Sequence, residues 1–146
     1  GPPMRPQLEL VGYRQLKKEL RQLGDEAVAS LKQTNKEAAD LVADTARPDI
    51  PVRSGRLKGT LRTTGTMRGG VVRMGRKAVP YAGPVHFGWP NRPNAAKGWR
   101  GGPIRPNPFL YEAMDKRVGE VMAIYSKYLE TLPTSRKLGY RTVKRP

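Results

Sequence analysis

The feature that most constrains this chain is a stretch from Ile50 to Tyr111 that contains twelve Lys or Arg residues and not one Asp or Glu. The same stretch holds most of the glycine and proline of a chain with 16 Gly and 14 Pro in 146 residues. Because both residue types interrupt helices, this is the least helical part of the chain. It also cannot neutralise its own charge, so we expect the chain to meet its partners here.

Size and charge bound the class of protein. A length of 146 residues fits one domain with a modest core, since domains most often have about 100–150 residues. The 28 basic and 12 acidic side chains give a net charge of +16. A charge of this size attracts polyanions, so nucleic acid and acidic protein surfaces are the expected partners.

Three classes of feature are missing from the sequence. It contains no cysteine, which excludes disulfides and thiolate metal ligands and suits assembly in a reducing cytosol. It has no apolar run of the roughly 18–20 residues that a bilayer span needs, and no signal-peptide core near its start. We therefore expect a soluble protein without a membrane partner. The opening Gly1-Pro2-Pro3 is either native or a remnant of an expression tag.

Apolar residues that recur with helical spacing predict three helices. The first is a short amphipathic helix over 13–23. The second covers 25–46 and stops before Pro48, because the residue that precedes a proline avoids the α region. The third covers 108–132, with Asn107 as its N-cap and Pro108 as its first helical residue.

The segment between the second and third helices has a different pattern. Residues 54–57 predict one helical turn, and two β-branched or apolar runs, 60–64 and 70–74, predict a β-hairpin. A turn or one-turn helix is predicted over 80–88, followed by a long Pro/Gly-rich loop to residue 108. We divide the chain into a flexible N-terminus (1–12), a single domain (13–132) and a basic C-terminal tail (133–146) that orders on a partner.

The sequence offers little for catalysis. His86 is the only histidine, and its neighbours Phe87 and Trp89 favour a packed or hydrogen-bonded side chain over a base. No pair of residues has the spacing of metal ligands, and the glycines do not form a phosphate-binding fingerprint. We predict no enzymatic activity and no cofactor. A basic hydrolase or nuclease remains the enzymatic alternative, to be revived if replacing His86 abolished an activity.

The basic stretch has three interpretations: solvated surface, contact with nucleic acid, or contact with an acidic protein. A nucleic-acid contact would be made to phosphates, without base reading and with strong salt dependence. The candidate contacts to DNA or to an acidic partner are Arg53, Arg56, Lys58, Arg62, Arg68, Arg73, Arg76 and Lys77. The tryptophans of the loop suit stacking on bases or a protein–protein arm equally well. The candidate interface arms are Trp89, Arg92, Trp99, Arg100, Arg136, Lys137, Arg141, Lys144 and Arg145.

Four short motifs occur together in a fixed order after the amphipathic helix. They are 51–61 (PVRSGRLKGTL), the hairpin end 72–75 (VRMG), Tyr81-Ala82 with 85–88 (VHFG), and 107–110 (NPFL), which opens a helix with Ala113. In this order they resemble the tail-completion family of long-tailed bacteriophages, also called the minor tail component. The likeness covers about residues 13–132. Family members usually carry an acid where this chain has His86 and a small hydroxyl residue where it has Trp89.

The resemblance implies a structural virion protein without enzymatic activity. It implies an α+β subunit, with a small antiparallel sheet packed against two or three helices, and a ring of identical subunits, six in number, at the head–tail joint. The implied partners are the head connector or stopper, the tail terminator or tail tube, and genomic DNA passing through the channel without sequence-specific contacts. Assembly in the host cytoplasm and residence in the neck of the virion follow. The motif residues that the resemblance implies as core or interface anchors are Gly55, Leu57, Tyr81, Ala82, Phe87, Gly88, Pro108 and Phe109. The alternative is a small basic protein that binds nucleic acid without sequence specificity on its own.

Overall fold

The computed structural model describes residues 4–11, 24–52, 55–77, 82–87, 105 and 107–132. Within these ranges the chain has a small α+β fold, as predicted. Its strands are β1 (Gln7–Val11), β2 (Arg62–Gly65) and β3 (Gly69–Arg73), and its helices are α1 (Asp25–Ala46), α2 (Arg56–Gly59), α3 (Ala82–Phe87) and α4 (Phe109–Thr131). A short 3-10 turn, Arg47–Asp49, follows α1. The helix predicted over 13–23, most of the loop 89–108 and the tail 133–146 lie outside the described residues.

Helix α1 is the centre of the fold because it is buried on two sides. Its buried residues recur every three or four positions and four of them are alanines: Leu31, Thr34, Asn35, Ala38, Ala39, Val42, Ala43 and Ala46. Small side chains let neighbouring elements approach closely. The hairpin β2–β3 packs against one side of the helix and α4 against another.

The sheet has the order β1-β3-β2, and both pairings are antiparallel. Side chains alternate between its two faces. Leu8, Leu10 and Val72 point to the helical side and join the core. The opposite face, which we call the far face, carries Gln7 and Glu9 of β1, Val71 and Arg73 of β3, and Arg62 and Thr64 of β2.

Strand β1 lies inside the segment for which we expected a flexible N-terminus. The structure corrects that expectation for residues 7–11, which pair with β3 along their whole length, from Gln7 opposite Arg73 to Val11 opposite Gly69. The physical reason is burial: Leu8 and Leu10 are 8% and 2% exposed, respectively. Pairing with β3 and burial of the two leucines stabilise this five-residue strand, more than the local conformational preference of its residues does.

Helix α4 runs antiparallel to α1 and closes the core. Tyr128 donates a hydrogen bond to the Ala27 carbonyl near the start of α1, while Arg117 donates to the Thr45 hydroxyl near its end, at 2.9 Å. Between these points the Tyr125 hydroxyl donates to the buried Asn35 side chain. The Asn35 amide in turn donates to the Thr66 carbonyl in the hairpin turn, at 2.6 Å. One buried polar residue thus joins α1, α4 and the hairpin.

Candidate functional site

Charge is segregated between the helices and the hairpin region. Helices α1 and α4 carry nine of the twelve acids against five bases. Residues 56–77, which contain α2, β2 and β3, carry seven bases and no acid. Among the described residues, the excess of positive charge is therefore concentrated around the hairpin.

The structure brings together only part of the predicted basic set. Arg62 and Arg73 are paired across β2 and β3 at the open end of the hairpin, and Arg76 follows closely. Arg68 lies in the turn at the other end, five residues before Arg73, which corresponds to about 17 Å of extended chain. Arg56 and Lys58 lie in α2 and Lys77 is exposed after β3, whereas Arg53 lies outside the described residues.

Arg62 is the fixed member of the group. Its Nη1 donates two hydrogen bonds of 2.9 Å, one to the Thr60 carbonyl and one to the Gly75 carbonyl. Gly75 makes this contact from a backbone with φ of 93°, a left-handed conformation that side-chain-bearing residues rarely adopt. The Thr60 hydroxyl also accepts a bond from the Gly75 N–H at 2.8 Å. The guanidinium is therefore held by the two backbone segments that flank the open end of the hairpin.

Two more arginines are placed beside Arg62 by the sheet. Arg73 donates from Nε to the Gln7 side chain at 3.0 Å. Arg5, just before β1, lies over Gly75, where an added methyl group would meet the Arg5 Cγ at 3.4 Å. We call Arg5, Arg62, Arg73 and Arg76 the sheet-end arginine cluster.

The cluster is electrostatically unfavourable on its own. Burial, with the charges of Arg76, Arg73 and Arg5, lowers the pKa of the Arg62 guanidinium. Like charges directly opposite each other in a sheet destabilise it. Among the described residues of the far face the one acid is Glu9, and it lies opposite Val71 rather than opposite an arginine. The cluster is therefore a concentration of cations that a bound anion would stabilise.

His86 occupies a buried corner between α3 and α4. Its Nε2 accepts a hydrogen bond from the Leu110 N–H at 3.2 Å, and its carbonyl accepts one from the Asn107 N–H at 3.0 Å. Its ring lies 4.4 Å from that of Phe87 and 4.7 Å from that of Phe109. Burial lowers its pKa to about 4.

These contacts give His86 a structural role. An Nε2 that accepts from an N–H carries no proton, so the neutral ring has its proton on Nδ1, for which the described residues provide no acceptor. The lone pair that a general base would use is already engaged at the start of α4. The predicted preference for a packed, hydrogen-bonded histidine agrees with this geometry.

A second polar group joins α1 to the edge strand β2. Lys36 donates to Asp40 at 2.8 Å and to the Thr63 hydroxyl at 2.6 Å, and Thr63 donates to the same carboxylate at 2.5 Å. Burial raises the pKa of Asp40, but the bonds from Lys36 and Thr63 and the charge of Lys36 outweigh it and lower the pKa overall. A carboxylate with a lowered pKa is a poor base, so Thr63 is not activated as a nucleophile. In the described part of the chain no group of three or more His, Asp or Glu side chains could hold a metal ion.

The motif residues fall into three groups. Leu57, Ala82 and Phe109 are buried in the core. Phe87 and Pro108 are half-buried, and Gly55 is exposed with a φ of 74°. Tyr81 and Gly88 lie outside the described residues, as do all the candidate interface arms: Trp89, Arg92, Trp99, Arg100, Arg136, Lys137, Arg141, Lys144 and Arg145.

Sequence reasoning missed one member of the cluster. Arg5 lies in the segment 1–12, which we set apart as flexible, and it is the only base there. The signal that could have found it is the alternation of polar and apolar residues in Gln7-Leu8-Glu9-Leu10-Val11, which is typical of a half-buried strand. A strand there would have brought Arg5 to an end of the sheet.

Comparison of the chain with protein-family models, curated proteins and solved structures gave no match. Of the helices that the structure describes, none has both the length and the apolar character needed to span a bilayer. The functional assignment therefore rests on the charge distribution, the geometry of the cluster and the sequence motifs.

Proposed function

We propose that the chain is a structural virion protein of a long-tailed bacteriophage, located in the neck, where it joins the head connector to the tail tube around the DNA exit channel. The observation that carries this proposal is the segregation of charge, with residues 56–77 entirely free of acids. A surface of one sign attracts a passing polyanion without reading its sequence. The order of the four motifs and the α+β fold are compatible with the same role.

In this proposal the subunits form a ring, with six as the expected number. The basic hairpin region faces the DNA or an acidic neighbour, and the acidic outer surfaces of α1 and α4 face away from the DNA. The loop 89–108 and the tail 133–146 act as arms toward a neighbouring subunit, the connector or stopper above, or the tail terminator or tube below. The role requires no enzymatic activity and no cofactor.

The proposal is tested by locating the chain in purified phage particles. We expect immunogold labelling at the head–tail joint and a copy number per particle that matches one ring, measured by quantitative mass spectrometry. Detection of the chain in the infected-cell lysate but not in purified virions would refute the proposal.

The sheet-end arginine cluster also supports a second candidate, a small basic protein that binds nucleic acid by itself. The two functions differ in how the isolated subunit behaves. A dedicated binder holds generic duplex DNA at physiological salt, whereas a single ring subunit, which presents only its share of the channel wall, binds weakly until it assembles. A salt titration of the monomer, followed by the same titration of the assembled ring, distinguishes them.

A further inference from the structure

We propose that the sheet-end arginine cluster, formed by Arg5, Arg62, Arg73 and Arg76, is a binding site for phosphoryl oxyanions. In the neck structure its ligand is the phosphodiester backbone of duplex DNA, and this second part rests on the function proposed above. The proposal selects these four residues from the basic residues around the hairpin and excludes Arg56, Lys58 and Arg68.

The donors of Arg62 are held in position before a ligand arrives. Arg62 uses both N–H groups of Nη1 on the carbonyls of Thr60 and Gly75. A guanidinium has five N–H donors, so Nε and Nη2 keep three. Within the described ranges no acceptor binds these three. A planar fork held in place on one side and open on the other matches the geometry of phosphate oxygens.

The sheet also brings the other arginines close to Arg62. Arg73 lies directly opposite Arg62 in the antiparallel ladder, on the same face, and such partners have Cβ atoms about 5 Å apart. The Arg5 side chain lies next to Gly75, and the Gly75 carbonyl accepts a hydrogen bond from Arg62. Arg76 is the next residue after Gly75. Three further cations therefore surround one half-buried guanidinium.

The number of positive charges in the cluster indicates how much negative charge its ligand carries. Several cations in one place favour a multivalent anion over a single carboxylate, and a phosphoryl group carries more charge and more acceptor oxygens. Among the described residues of the far face the acid nearest to Arg73 is Glu9, two residue pairs further along the ladder. A ligand that binds the folded chain and relieves this repulsion stabilises the fold.

The test uses the full chain and two variants that remove the same charge. Arg73→Gln/Arg76→Gln alters the cluster without touching the carbonyl bonds of Arg62. Lys58→Gln/Arg68→Gln removes two positive charges from the same region and is the matched control. Circular dichroism in chloride buffer verifies that the wild type and every variant are folded.

Pyrophosphate is the first probe, added at constant ionic strength in a thermal unfolding assay. We expect it to raise the melting temperature of the wild type and of the control, and to leave the cluster variant unchanged. The charge-conserving Arg73→Lys/Arg76→Lys variant should keep only part of the shift, because lysine lacks the planar fork. Equal shifts in the two glutamine variants would mean that binding follows net charge alone, and would overturn the proposal.

Random-sequence duplex DNA is the second probe, titrated over about 50 to 200 mM salt by fluorescence anisotropy. In the cluster variant we expect the slope of log K against log salt to fall by about 2 and the affinity to fall at least ~10-fold, against less than ~3-fold for the control. Wild-type binding that both variants reduce equally would overturn the cluster while the neck function still stood. Conversely, absence of the chain from virions would refute the neck function without affecting the pyrophosphate result. Stronger binding of polyglutamate than of DNA would overturn the proposal in favour of an acidic protein partner.

Discussion

Lowering the pH should destabilise this protein through one residue, His86. Its side chain is fully buried and its Nε2 accepts the hydrogen bond from the first turn of α4. Protonation would replace that acceptor with a donor facing another donor, and would place a charge among the rings of Phe87, Phe109 and Tyr111. The folded state therefore resists protonation.

The size of the effect follows from the two pKa values. The pKa of His86 is about 4 in the folded chain, against 6.5 for an unperturbed histidine. Because the folded pKa is the lower one, the unfolded chain takes up the proton first. The contribution to stability is complete above pH 6.5, is lost as the pH falls toward 4, and levels off below that. At about 1.4 kcal/mol per pH unit, the loss is about 2 kcal/mol between pH 7 and pH 5 and about 3 kcal/mol in total.

Urea unfolding followed by circular dichroism, at several pH values between 5 and 7, measures this directly. The matched variant is His86→Gln, whose side-chain oxygen can accept the Leu110 N–H but does not titrate. We expect the free energy of unfolding of the wild type to fall by about 2 kcal/mol over this range, and that of the variant to stay nearly level. Equal pH dependence in the two proteins would refute the assignment, because His86 is the only histidine in the chain.

Three substitutions test a close backbone contact, a position in the middle of a helix and a buried hydrogen bond. Gly65→Ala should cost about 2–3 kcal/mol, because an added Cβ would lie 2.6 Å from a backbone nitrogen of α1; Gly59→Ala, with open space around it, is the control, and thermal unfolding measures both. Gly119→Ala should raise stability by about 0.5–1 kcal/mol, since the residue is in the middle of α4 with nothing within 4 Å; an unchanged or lower melting temperature would contradict this. Tyr125→Phe should cost about 1–3 kcal/mol in urea unfolding by leaving the Asn35 oxygen buried without this donor, and a neutral result would mean that the bond contributes nothing.

The long periodic segments were predicted from the sequence, and the short strand β1 was missed. Helices α1 and α4 were predicted within a residue or two of their observed bounds, and the hairpin was predicted from β-branched runs on either side of Gly69-Gly70. Strand β1 has five residues and pairs with a strand roughly sixty residues further along the chain. Its stability depends on that distant partner, which no local pattern shows.

Within α4 the sequence predicted the buried stripe but not its edge. Met122 is 44% exposed, whereas Tyr128 is 4% exposed. These two residues lie three positions on either side of Tyr125, so helical periodicity places them symmetrically about the centre of the stripe. The position of α1 decides which side is covered, and Tyr128 reaches it through the Ala27 carbonyl.

The candidate site shows the same limit. The sequence picked out a set of basic residues by composition but could not say which of them meet. That choice depends on the register of β2 and β3, which pairs Arg62 with Arg73, and on β1, which adds Arg5. Composition predicted that the surface charge is positive, and strand pairing determines which arginines lie close together.

The backbone bond between His86 and Asn107 has a consequence for how this chain can vary. The two residues that bracket 87–106 are joined at 3.0 Å, so the connection between them has no distance to bridge. The entropy of closing such a connection grows only with the logarithm of its length, by about 0.6 kcal/mol per doubling. Insertions, deletions and exchanges between these two points are therefore inexpensive for the folded core. A change in the length of this connection is therefore expected to alter the free energy of unfolding only slightly, because the bond between His86 and Asn107 belongs to the core.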